Sequence, residues 1–99
     1  MVQKIKVINS DRAITEMANI AYYITNQGYP ETAKKYYNRL LEFGNTLGLL
    51  PDKFAICRKS AFKRWKYRCA VFEDTCIFVY KIKNDEVIIL RVIHGKLIK

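Results

Sequence analysis

The sequence predicts an α+β fold, a helical hairpin packed on an antiparallel sheet, and three observations carry that prediction. Apolar residues recur at helical spacing between Ile14 and Leu47, then at strand spacing from Lys66 to Ile93. Gly28 and Pro30 punctuate the first region, and the polar pairs Glu73-Asp74 and Asn84-Asp85 punctuate the second. A β-branched segment, Val2 to Ile8, precedes both. The expected order is β-α-α-β-β-β: an N-terminal strand, an α-helical hairpin, then a three-stranded antiparallel meander. Residues 1–99 read as a single domain, since no repeat, low-complexity stretch or Ser/Gly linker divides them.

Each element has a local cause. Lysines interrupt Val2 to Ile8, which suits an edge strand whose charges discourage further pairing. Asn9-Ser10-Asp11 offers side chains to cap the orphan N–H groups of a helix start. Ile14, Met17, Ala21 and Ile24 then follow the rhythm of one helix face. Gly28 can take the positive φ that ends a helix, and Pro30 suits the first position of the next. Ala33, Tyr36, Tyr37, Leu40, Leu41 and Leu47 continue the second helix, where Gly44 implies a close neighbour and Gly48 and Pro51 a stop. The short connection makes the two helices an antiparallel hairpin. Pro51 to Lys63 reads as an irregular basic stretch, and Lys66–Phe72, Thr75–Ile82 and Val87–Ile93 as strands.

Two-residue turns at Glu73-Asp74 and Asn84-Asp85 would pair Arg68 with Val79, Ala70 with Ile77, Tyr80 with Ile89 and Phe78 with Arg91. Alternation then puts Arg68, Ala70, Phe72, Ile77, Val79, Leu90, Val92 and His94 on one face. Cys69, Val71, Cys76, Phe78, Tyr80, Ile89 and Arg91 fall on the other. The helices are expected on the Phe78/Tyr80 face, leaving a concave Arg68/His94 face partly covered by the basic stretch. Arg91, beneath the helices, should pair with Glu16, Glu31 or Glu42. A one-residue slip in either turn inverts these faces.

Charge is the strongest compositional signal. The formal net charge is +9, and residues 51–99 carry twelve of the eighteen basic side chains. Lys53, Arg58, Lys59, Lys63, Arg64, Lys66 and Arg68 follow one another without a carboxylate. A one-signed field of that density attracts polyanions or an acidic protein. Trp65 and Tyr67 lie among these cations and offer stacking surfaces for bases. Tyr22, Tyr23, Tyr29, Tyr36 and Tyr37 cluster in the helices, divided between core packing and partner contact. No apolar run reaches the ~20 residues of a membrane-spanning helix, and the N-terminus lacks a signal-peptide pattern, so a cytoplasmic protein is expected. Cys57, Cys69 and Cys76 lack paired spacing and share the chain with one histidine, so neither a disulfide framework nor a metal site is expected. Cys69 and Cys76 read instead as small buried hydrophobes. No cofactor is implied.

Several segments together resemble the RelE/ParE superfamily of toxins from bacterial type II toxin–antitoxin modules. Leu50-Pro51-Asp52-Lys53-Phe54 is similar to the segment that follows the second helix in that family. Tyr67-Arg68 resembles the opening of its first meander strand, and Ile77 to Ile82 its central strand. Val87 to Gly95, ending Arg91-Val92-Ile93-His94-Gly95, resembles its closing strand, closer to the ParE-like branch. Lys96-Leu97-Ile98-Lys99 stands where the family often has R-R-D.

The resemblance implies a growth-arresting toxin whose partner is a cognate antitoxin, with DNA met only indirectly through that antitoxin and no membrane involved. It implies one of two targets: DNA gyrase, inhibited without chemistry, or the ribosome and its mRNA, cut by an endoribonuclease. An inactive antitoxin- or nucleic-acid-binding module is the remaining reading. For a nuclease, His94 is the side chain suited to acid–base work near neutral pH, and Arg68 the cation for the phosphate. Lys63, Arg64, Lys66, Arg68 and Lys96 form the expected target- or phosphate-binding set.

Overall fold

Sheet and hairpin form in the expected order in a computed structural model, which describes residues 4–95. Strand β1 (Lys6–Asn9) leads into helices α1 (Asp11–Asn26) and α2 (Pro30–Thr46), followed by a short helix α3 (Ser60–Lys63). The meander is β2 (Arg68–Phe72), β3 (Cys76–Lys83) and β4 (Glu86–His94). The sheet order is β1-β4-β3-β2, with β1 parallel to β4 and the other neighbours antiparallel. The α+β class and the single helical hairpin are as the sequence predicts; the helix α3 inside the basic stretch is an addition.

Ser10 joins sheet to hairpin. Its side chain caps α1 by accepting from the Ala13 N–H at 3.1 Å and donates to the Leu90 carbonyl at 3.1 Å. Its own N–H donates to the Ile89 carbonyl at 3.0 Å, the point at which β1 stops covering the β4 edge. Beyond that point a carboxylate from α1 takes over. Glu16 accepts from the Val92 N–H at 3.0 Å and from the Arg91 guanidinium at 2.8–3.1 Å. Glu16 is thus the partner chosen from the three acids that the sequence offered Arg91.

The buried stripe of α1 is Ala13, Met17 and Ile20, not the stripe begun by Ile14, which is 46% exposed. Ala13 is too small to register in an apolar rhythm, and counting from Ile14 rotates the face by one residue. Gly28 takes φ +95° between the helices, and Pro30 opens α2. Ala33, Tyr36, Leu40 and Gly44 face the sheet. A Cβ at Gly44 would stand 3.1 Å from Ile89 Cδ1 and 3.4 Å from Phe78 Cε2, so the bare backbone is what lets α2 lie this close. Phe43 meets the rings of Phe72 and Phe78 at 5.1 Å and Phe54 at 6.1 Å.

The strand register differs from expectation at two places, and both rearrange the faces. Glu73 and Asp74 do form the tight turn, with positive φ and the Thr75 N–H donating to the Phe72 carbonyl at 2.9 Å. The ladder nevertheless pairs Phe72 with Cys76, Ala70 with Phe78 and Arg68 with Tyr80. Thr75 is an extra residue, drawn aside by a 2.6 Å hydrogen bond between its hydroxyl and that of Tyr36 and by the Gly95 N–H on its carbonyl. The Asn84-Asp85 turn pairs Lys83 with Glu86 and Tyr80 with Ile89 as expected, but a bulge then pairs Val79 with Arg91 and Phe78 with Val92.

Ala70, Phe72, Phe78, Tyr80, Ile89 and Val92 therefore share the helix-covered core. The helices lie on the expected Phe78/Tyr80 face. Arg68 and His94, however, take the register of that face, and Cys69, Val71, Ile77, Arg91 and Ile93 lie on the opposite one.

Candidate partner-binding surface

The basic segment starts on the helix side of the sheet, pairs along the β2 edge and then reaches the face that the helices leave open, and the ties that hold it define the candidate surface. Tyr80 donates its hydroxyl to the Pro51 carbonyl at 2.6 Å. Its ladder partner Arg68 donates from Nη1 to the Phe54 carbonyl at 2.6 Å, with Nη2 3.4 Å from the exposed Asp52 carboxylate. Residues 55–57 then run antiparallel to β2. The Cys57 N–H donates to the Tyr67 carbonyl at 2.8 Å, the Cys69 N–H to the Ala55 carbonyl at 3.1 Å, and Ile56 bridges Arg68. A Cys57–Cys69 disulfide closes this pairing across a separation of 12 residues.

That disulfide corrects the reading of both cysteines. Strand spacing marks Cys69 as an apolar strand residue, but its partner comes from an irregular segment, whose path no local pattern reveals. Cys76 keeps its thiol, buried 3.1 Å from the Tyr36 hydroxyl. Burial raises the Cys76 pKa, as it does that of Tyr80. Burial, with the neighbouring Cys76, pushes Tyr36 up to about 12. None of these three is poised to ionise near neutral pH.

Between the disulfide's ends the chain forms a protruding loop. Helix α3 closes with the Tyr67 N–H on the Phe62 carbonyl at 3.2 Å and the Lys66 N–H on the Lys63 carbonyl at 2.9 Å. Lys66, at φ 58°, takes the left-handed position that glycine usually fills in this closure. Lys63, Arg64, Trp65 and Lys66 are all exposed at the loop's crest. Under the loop a groove of about 480 Å³ opens on the sheet, walled by Ile56, Phe62, Val71, Ile77 and Ile93 and rimmed by Arg58, Lys59 and Arg91.

The residues expected to act together are only partly assembled. Lys63, Arg64 and Lys66 share one crest. Arg68 is turned to the loop backbone, where its guanidinium serves as an anchor. His94 is half-buried opposite Cys76, while Arg68 stands opposite Tyr80 on the far side of β3. Four residues along the strand and two strand spacings across separate their Cα atoms by about 16 Å. Phe78 and Val92 lie between, so no single phosphate meets both side chains, and the expected acid–base and cation pair is not formed. Lys96 lies outside the described residues. Among the described residues no cluster of His, Cys, Asp and Glu has metal-site geometry, and no helix is long and apolar enough to cross a membrane.

Comparison with known proteins agrees with this architecture. A family model described as the ParE toxin of the type II toxin–antitoxin system parDE matches residues 7–97. A solved structure described as the chromosomal ParDE toxin–antitoxin system from P. aeruginosa superposes with a TM-score of 0.77. It is 17% identical, and the match covers 92% of this chain and 96% of that one, which is a likeness of fold. Comparison with curated proteins finds no match.

Proposed function

The chain belongs to the ParE toxin family of type II toxin–antitoxin systems, and from that membership we propose that it arrests growth by binding DNA gyrase, without catalysis. The observation that supports binding over RNA cleavage is the separation of Arg68 from His94. RNA cleavage through its own 2′-hydroxyl needs a base, an acid and a cation converging on one phosphate. Here the histidine and the arginine lie on opposite sides of β3, and the arginine is spent on the Phe54 carbonyl. What remains at the surface is a one-signed crest, suited to recognition.

Lys63, Arg64 and Lys66 are the residues proposed to engage the target. The cognate antitoxin is proposed to use the groove beneath them. An acidic, amphipathic segment fits that groove, its apolar side chains against Val71, Ile77 and Ile93 and its carboxylates toward Arg58 and Lys59. The net charge of +9 makes that association fast and salt-sensitive. Cells are the proposed site of action, in the cytoplasm.

Induction of the chain in cells, followed by mapping of RNA ends and of chromosome breaks, tests the proposal. Growth arrest with double-strand breaks and an SOS response is expected, with RNA ends unchanged. New mRNA ends within codons on ribosomes would instead establish the nuclease reading, and no arrest at all would leave an inactive binding module.

A further inference from the structure

Trp65 is the chain's single tryptophan, and its position is unusual. It is 64% exposed at the crest of the disulfide-closed loop, with Lys63, Arg64 and Lys66 beside it. The Arg64 guanidinium lies 6.0 Å from the centre of its ring. No acidic residue occurs from Lys53 to Phe72. The crest is also built to hold its shape: the disulfide, the backbone pairing of 55–57 with 67–69 and the α3 closure all fix its base. A large ring held in water beside three exposed cations is the pairing of stacking platform and positive charge found where single strands bind.

We propose that this loop binds single-stranded nucleic acid, with one unpaired base stacked on Trp65 and the adjoining phosphates on Lys63, Arg64 and Lys66. A base exposes a π-face only when unpaired, which makes a single strand the fitting ligand and duplex a poor one. Three flanking cations with no acid of their own suit a ligand that brings a phosphate beside each base. This assignment goes beyond the gyrase reading and stands or falls without it, because it concerns the purified chain and an oligonucleotide alone.

Having one tryptophan makes the test direct. The intact chain is titrated with an oligothymidylate and with an oligouridylate, following both tryptophan emission and oligonucleotide anisotropy. Binding should quench the emission with at least one of the two, the stronger quencher marking DNA or RNA as the source. Trp65→Ala should weaken binding about tenfold or more, while Trp65→Phe keeps most of it. Three phosphate contacts give a slope of about −2 in log affinity against log salt. Joint replacement of Lys63, Arg64 and Lys66 by Gln should remove most of that slope. Far-UV dichroism and a thermal melt confirm that each variant is folded, and the wild-type quench needs no variant. Binding seen by anisotropy with emission unchanged, Trp65→Ala binding as tightly as wild type, or no binding at about 50 mM salt would each overturn the proposal.

Discussion

Replacing Glu16 by Ala should destabilise the fold by about 3 kcal/mol, and the contacts that it breaks give the magnitude. The carboxylate accepts from Arg91 Nε at 3.1 and 3.0 Å, from Arg91 Nη2 at 2.8 Å and from the Val92 N–H at 3.0 Å. The two side chains are 20% and 26% exposed, so solvent screens the pair only in part. Hydrogen bonds to a charged group contribute about 1.5–3 kcal/mol, and a stranded backbone N–H costs about 1 kcal/mol more. In a domain of this size that corresponds to a melting temperature lower by about 12 °C. Glu16→Gln keeps an oxygen for Val92 but turns an NH2 donor toward the Arg91 guanidinium and loses the charge, so it should cost about 2 kcal/mol. A double-mutant cycle with Arg91→Ala should give a coupling of about 1–2 kcal/mol, measured by urea denaturation. A Glu16→Ala protein that melts within about 3 °C of wild type would refute the claim that this carboxylate completes the β4 edge.

Arg68→Ala should cost about 2 kcal/mol, since it strands the Phe54 carbonyl, whereas Asp52→Ala should change little because that carboxylate is 82% exposed. Equal melting temperatures for the two variants would refute the anchor role. Joint replacement of Cys57 and Cys69 by Ser should lower stability by about 3 kcal/mol, the entropy of opening a loop of this length, and expose Lys63 to Lys66 to trypsin. Identical melts and digestion patterns for variant and wild type would count against a formed disulfide. Stability should also fall in alkali. Tyr36 ionises near its usual 10 when unfolded but at about 12 when folded, so the folded state holds its proton longer. Its contribution is complete below pH 10 and is lost as pH rises through 12, with Cys76 and Tyr80 acting in the same direction. Urea midpoints measured from pH 8 to 12 should decline, and Tyr36→Phe should flatten the curve; a midpoint that rises with pH would contradict it.

Signals that act over a few residues were legible in the sequence. Ser10 caps, Gly28 turns, Pro30 begins a helix and Asn84-Asp85 closes a hairpin because each depends on its own backbone. Gly44 could be read as a close contact because glycine inside a helix has few other justifications. What failed depends on distant partners. Thr75 leaves the ladder for Tyr36, a residue 39 positions away, and this single step moves Arg68 onto the helix side. The bulge beyond Tyr80 does the same to His94. Cys57 and Cys69 come together only because 55–57 folds back on β2. The cationic crest was visible as a run of charge, and its geometry was not: the run divides into an anchor, Arg68, and the exposed cations Lys63, Arg64 and Lys66.

Purified gyrase separates recognition by the crest from chemistry at the end of β4. Supercoiling assays would compare the wild-type chain, His94→Ala, and the chain with Lys63, Arg64 and Lys66 replaced by Gln. Equal inhibition by wild type and His94→Ala, with inhibition lost in the folded triple variant, is the predicted result. Full inhibition by the triple variant, or loss of it on removing the His94 imidazole alone, would contradict a toxin that works through its basic loop.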